Sequence, residues 1–247
     1  MSKNMTPVEF EFHLNDAVEK IKMLFKEWKE SENPGLLTKA KLVAYWLKDY
    51  VAFLRREDSF VPASVPRLKR GSIVVADFGF RIGKEFGGRH FAVVVDNENK
   101  LNSPIVTVVP LFSLKKGYKP NVYTCQLRDG VYNPMVNRTV AVVREADQMM
   151  QDYRKATPEE RATPEMRAKY AVISSLADRT KDMLTEIEHL KEGSVANTCQ
   201  ITTISKMRIK RPLKKEDPLY GLRLSTRDME LINEQLKKLY IFAEKEK

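Results

Sequence analysis

Four side chains able to do chemistry lie close together in the stretch between Phe78 and Ser113. Glu85, Arg89 and His90 flank a glycine pair, Gly87 and Gly88, and Ser113 closes the apolar run that follows. Histidine transfers protons near neutral pH, arginine stays charged and clamps an anion, and a carboxylate orients either cation. RNA is a substrate such groups can cleave, because its own 2′-hydroxyl attacks the adjacent phosphorus once a base removes the proton, an acid serves the leaving oxygen and positive charge stabilises the transition state. DNA lacks that nucleophile. Each group also has a plain structural reading: a loop salt bridge for Glu85 and Arg89, a hydrogen-bonded strand end for His90 and a turn hydroxyl for Ser113. His13, His90 and His189 are scattered, with no H-x-x-H or H-E-x-x-H spacing and no cysteine pair, which disfavours a zinc hydrolase.

The elements that must hold these groups begin at Arg70. Ile73–Phe78, Phe91–Val95, Ile105–Leu111 and Val122–Leu127 read as strands, the polar stretch Asn97–Pro104 as a loop, and Val140–Val143 as an additional strand. Arg89 and His90, adjacent on a strand, are expected to point to opposite sides. Upstream, Leu14, Ala17, Val18, Ile21, Leu24, Phe25 and Trp28 form one helical stripe that ends at Asn33, Pro34 and Gly35. Leu37, Ala40, Ala44, Leu47, Val51 and Leu54 form a second, with another apolar face on Leu42, Trp46, Tyr50 and Phe53. The short connection predicts an antiparallel hairpin over residues 1–58, joined by a Pro- and Ser-containing linker at 59–66 to a domain over 67–247. Within that domain, 129–192 reads as a mostly helical insertion. Thr157-Pro158 and Thr163-Pro164 supply N-caps, and Met166, Tyr170, Ile173, Ala177, Leu184, Ile187 and Leu190 mark a long helix. A last helix, capped by Ser225, carries Met229, Ile232, Leu236, Leu239 and Phe242.

The chain has 247 residues, 43% of them hydrophobic, and a net charge of +10. That charge is uneven. Residues 1–66 balance ten Lys and Arg against ten Asp and Glu, whereas residues 67–145 hold thirteen against six and residues 193–247 twelve against seven. A basic domain beside a neutral, aromatic-rich hairpin suits a polyanion on the first and protein packing on the second. Apolar runs are far below the roughly 20 residues that span a bilayer, and no signal-peptide pattern opens the chain, so a soluble cytoplasmic protein is expected. Cys125 and Cys199 read as buried free thiols in strands.

The block RGSIVVADFGFRIGKEFGGRHFAVVVDNENKLNSPIVTVVPLFS, with its R-G-x-hydrophobic strand, D-F-G turn, G-x-E-x-G-G loop and strand closing on Ser, resembles the MazF/PemK family of ribonuclease toxins. The later block GSVANTCQITTISKMRI is similar to the family's S-V-x(4)-Q-I-x-T-I-x-K-x-R pattern. The resemblance implies an α+β fold built on a small SH3-like β-barrel, here with the N-terminal hairpin, the helical insertion and the C-terminal helix added. It implies a metal-independent endoribonuclease without cofactor, a homodimer, and inhibition by a cognate antitoxin. The family order G-G-x-R-P puts His90 at the usual arginine position and Arg89 one residue early. On this reading His90 transfers the proton, Arg89 or a neighbour such as Arg81 binds phosphate, Ser113 supplies the hydroxyl and Glu85 orients either cation. Arg81, Gly87, Gly88, Gln200, Lys206 and Arg208 then contact RNA, while Thr202 stands where one branch of the family has arginine. The alternative is a non-catalytic RNA-binding or partner-binding protein on the same barrel.

Overall fold

In the computed structural model, residues 5–119, 121–190 and 193–241 are described. The chain divides into two compact units, 1–59 and 60–247.

The first unit is a pair of packed helices, α1 (Pro7–Glu30) and α2 (Pro34–Leu54). Thr6 starts α1 through a reciprocal capping box with Glu9. Asn33 and Pro34, read from sequence as the end of the first helix, instead start the second: the Asn33 side chain accepts from Gly35 N at 2.9 Å, and proline at the first helical position forfeits no hydrogen bond. Trp28 is held between Phe25 and the Lys39 ammonium. No residue of α1 is buried, while α2 buries Ala40 and Phe53.

The second unit is α+β. Its strands are β1 (Ile73–Asp77), β2 (Arg89–Val94), β3 (Ile105–Ser113), β4 (Cys125–Gln126), β5 (Ser194–Ala196), β6 (Thr202–Ser205) and β7 (Ile209–Arg211). β1, β2 and β3 form an antiparallel meander. β6 then pairs with the first half of β3, and β7, after one helical turn, pairs with β1. One continuous segment therefore links both edges of the meander and closes it into a barrel, which removes the open edges that strands otherwise expose. The second half of β3 continues past the barrel into a small sheet with β5 and β4.

The near-continuous apolar runs of β1–β3 arise because both faces are covered. Val74, Ala76, Phe78, Ala92, Val94, Val106, Val108, Ile204 and Ile209 fill the barrel. The alternate residues Ile73, Val93, Val109 and Leu111 face outward onto the helices α3 (Tyr132–Lys155), α5 (Pro164–His189) and α6 (Thr226–Tyr240), through Met135, Val142, Met183, Met229 and Ile232. Such period-two alternation with both sides buried is what a sheet under a helical layer requires.

Several expectations change here. Val140–Val143 lies within α3, where Met135, Thr139 and Val142 make a helical buried stripe, so the β-branched run belongs to a helix. The strand expected over Val122–Leu127 shrinks to β4. Cys199 sits in a helical turn, and both cysteines are free and only half-buried. The caps at Thr157, Thr163 and Ser225 form as read, each side chain accepting a hydrogen bond from the helix's first turn, with the four-residue α4 (Pro158–Arg161) following Thr157. Phe242 lies outside the described residues.

Asp228, in the first turn of α6, is wholly buried and ties this helix to the turn before α3. Its carboxylate accepts from the backbone N–H groups of Arg128 (2.6 Å), Asp129 (3.1 Å) and Gly130 (2.8 Å). Gly130 permits the turn: its φ is +58°, and a Cβ there would stand 2.6 Å from Ser194 Oγ.

Candidate active site

The end of β1, the start of β2 and the end of β3 meet at a cleft of about 710 Å³. The pairings Val75↔Phe91 and Ala92↔Pro110 fix the register, and continuing it sets Arg89 level with Ser113, which itself faces Ser194 on β5. Arg89, Phe91, Leu111 and Ser113 therefore share the outward face of the sheet, and all four line the cleft with His90, Lys115 and Ser194. Alternation turns His90 the other way. Its ring packs on Phe86 with centroids 4.6 Å apart, and Phe86 in turn packs on the barrel residue Phe78. His90 reaches the cleft from its rim. Burial lowers the His90 pKa below the ordinary value of 6.5, which favours the neutral imidazole, and a hydrogen bond with the Gly87 backbone opposes that shift.

The glycine pair has a backbone explanation. Gly88 N donates to Gly79 O and Phe78 N to Gly88 O, both at 2.8 Å, which closes the β1–β2 loop on itself. Gly88 has φ +84°, and a Cβ on Gly87 would lie 2.8 Å from Gly79 O, so both positions demand glycine for the turn. Gln200 locks the same loop from outside, its Oε1 accepting from Phe86 N at 3.3 Å and its Nε2 reaching Lys84 O at 3.5 Å.

These facts revise the RNA-contact set. Gly87, Gly88 and Gln200 build the loop that positions His90, and none of them lines the cleft. Lys206 is fully buried, with its amino group on the carbonyls of Lys100 (3.0 Å) and Leu101 (3.1 Å), so it is withdrawn from any strand of RNA. Arg81 is pinned by Nε to Phe78 O at 2.9 Å, and Arg208 donates to Asp77 O at 3.2 Å; neither lines the cleft. Glu85 is exposed on the loop, outside the cleft, and forms no ion pair with Arg89 or His90. Its expected role of orienting a cation has no counterpart in the geometry.

The site also gains residues. Arg211 lines the cleft from β7, where the register slips between Val75 and Ala76, a bulge of the kind that re-aims a side chain. Asp217 grips one edge of its guanidinium, Nε to Oδ2 at 2.9 Å and Nη2 to Oδ1 at 3.1 Å. Glu186 of α5 takes Nη1 at 2.6 Å and, with Leu190, also lines the cleft. Burial alone would lower the Arg211 pKa, but the bonds to Asp217 and Glu186 outweigh it and hold the group above its ordinary value. Arg211 belongs to the basic run Lys206–Arg211 visible in the sequence; Glu186 gave no local signal, because it is one of many acids on a surface helix. Among the described residues no three His, Cys, Asp or Glu side chains gather where they could hold a metal ion.

Residues 69–149, which carry β1 to β3 and most of α3, match the model of the PemK-like, MazF-like toxins of type II toxin–antitoxin systems. That match holds Arg89, His90 and Ser113, whereas Glu186 and Arg211 fall beyond it. No curated protein matches the chain. Among the described residues no helix is long and apolar enough to cross a membrane.

Proposed function

We propose that the second unit is a PemK/MazF-type, metal-independent endoribonuclease that cuts single-stranded RNA and is neutralised by a cognate antitoxin. The observation that carries the proposal is the shared face of Arg89 and Ser113, level across β2 and β3 at the cleft, with the His90 imidazole, favoured in its neutral form, at the rim. In this reading His90 removes the 2′-hydroxyl proton, the 2′-oxygen bonds to the adjacent phosphorus, and the bond from phosphorus to the 5′-oxygen breaks. The leaving oxygen takes up a proton, giving a 2′,3′-cyclic phosphate and a 5′-hydroxyl. Arg89 and Lys115 neutralise the charge on the phosphorane-like transition state, and Ser113 hydrogen-bonds a non-bridging oxygen. Arg89 rather than His90 is the clamp, because alternation along β2 aims it squarely into the cleft. A homodimer, as the family resemblance implies, and a place in the cytoplasm belong to the same proposal. The test is incubation of the purified protein with a long unstructured RNA in EDTA. Discrete fragments support the reading; intact RNA that is nevertheless bound would favour a non-catalytic RNA-binding barrel.

A further inference from the structure

A second cleft, of about 460 Å³, opens at the other end of the meander, where β1 begins, β2 ends and β3 begins. From Arg89 to Val95 the strand alone covers about 20 Å, which separates it from the candidate active site. Its lining includes five cations, Arg67, Lys69, Arg70, Lys100 and Arg223, against one carboxylate, Glu98. Among the described residues none of the five forms an ion pair.

The frame around these cations is fixed by bonds to neutral groups. Arg70 donates to Val95 O and Asn233 Oδ1, and Arg223 reaches back by Nε to Arg70 O at 2.9 Å. A guanidinium has five N–H donors, so each keeps donors for a ligand while its position is already set. The loop bearing Lys100 is fixed from beneath. The buried Lys206 amino group holds the Lys100 and Leu101 carbonyls, and Asn99 Nδ2 bonds Asp96 Oδ2 (2.9 Å) and Ile105 O (3.0 Å). Burial lowers the Lys206 pKa, partly countered by Asp96. Arg67, Lys69 and Lys100 stand exposed around this frame.

We infer that this cleft is a second RNA-backbone site, binding phosphodiesters of the strand that flanks the cut held at Arg89 and Ser113. Pinned guanidiniums and ammonium groups around a concave surface are what a phosphate chain needs, and a single-stranded substrate outreaches the first cleft. The inference rests on the proposed endoribonuclease reading for its substrate. Its own consequence is that long strands gain affinity over short ones through contacts remote from the chemistry.

The test compares wild type with the triple variant Arg67→Ala, Lys69→Ala, Lys100→Ala, whose residues are exposed and leave the Arg70 and Arg223 pins intact. The probes are a five-nucleotide and a thirty-nucleotide RNA, and the same thirty-mer with 2′-deoxy sugars, which cannot be cut by the proposed route. The triple variant is expected to bind both thirty-mers about 10-fold or more weakly. Its dependence of log K on log salt should be shallower by roughly 2, at about 0.7 per phosphate contact on a single strand. Its binding of the five-mer should match wild type, and for cleavage KM on the thirty-mer should rise with kcat unchanged. Equal affinity and equal salt slope for the 2′-deoxy thirty-mer overturn the inference, as does tighter wild-type binding of a polyglutamate of equal length. If wild type cuts nothing, the endoribonuclease reading falls, while the 2′-deoxy binding comparison still decides this site.

Discussion

Glu186→Gln separates what α5 does for stability from what it does for the cleft. The substitution keeps size and hydrogen-bonding capacity but removes the charge that faces Arg211 Nη1 at 2.6 Å. The two side chains retain 32% and 20% of their exposure, so the pair lies between a surface ion pair, worth up to about 1 kcal/mol, and a charged hydrogen bond, worth about 1.5–3 kcal/mol. Asp217 still holds two N–H groups of Arg211, so the guanidinium is not orphaned, and a loss of about 1 kcal/mol is expected. For a unit of this size that lowers Tm by about 2–4 °C. The same change should help the substrate. For an assumed separation of about 8 Å, a carboxylate repels a phosphate by roughly 2 kcal/mol at an effective dielectric near 20, and by under 1 kcal/mol after screening at physiological salt. KM for RNA should therefore fall about 3- to 5-fold at unchanged kcat. Glu188→Gln, an equal charge change on the exposed side of α5, is the control for the general field and should shift both readouts much less. Thermal unfolding and initial-rate kinetics on the same samples provide the readouts. An unchanged Tm together with an unchanged or raised KM refutes the assignment of Glu186 as both strut and competitor for the cation.

Two further outcomes follow from the packing and the titrating groups. Because burial lowers the His90 pKa, the unfolded chain binds more protons below the ordinary value of 6.5, so stability from this group is complete above that pH and falls as pH drops below it. His90→Gln should flatten that slope in pH-dependent unfolding and cut kcat by about 10²- to 10⁴-fold, and an unchanged acid limb sinks the assignment. Asp228→Ala removes the acceptor of three backbone N–H groups in a wholly buried place and should destabilise the second unit by about 3–5 kcal/mol; a loss under 1 kcal/mol in chemical denaturation contradicts its role as the tie between α6 and the turn before α3.

The parts of this fold that are legible in the sequence are those whose signal is local. β1, β2 and β3 announce themselves as apolar runs because both faces are covered, and Thr157, Thr163 and Ser225 announce helix starts because a cap is defined by residues three positions apart. Val140–Val143 misleads for the complementary reason: four residues of a helix carry no period, and the stripe that decides, Met135, Thr139 and Val142, extends beyond them. Asn33 and Pro34 suit a helix end and a helix start equally until the cap bond to Gly35 is seen. At the site, Arg89, His90 and Ser113 are readable as types and positions, and the alternation rule sets the first two on opposite sides without saying which faces the cleft. Lys206 in a basic run reads as a phosphate ligand, yet tertiary packing buries it under the Lys100 loop. Glu186 and Arg211 meet only because α5 folds over β7, and a contact between distant elements leaves no spacing to read.

The most direct measurement of the central claim is an end analysis of RNA cut in EDTA, alongside the same strand carrying one 2′-deoxyribose at the mapped cut. The account predicts 2′,3′-cyclic phosphate and 5′-hydroxyl ends on the first strand and no cut at the substituted position of the second, with Arg89→Ala and Ser113→Ala each slowing the first reaction at least about 10²-fold. Cleavage at the 2′-deoxy position, or cleavage only when a divalent metal is restored, would contradict it.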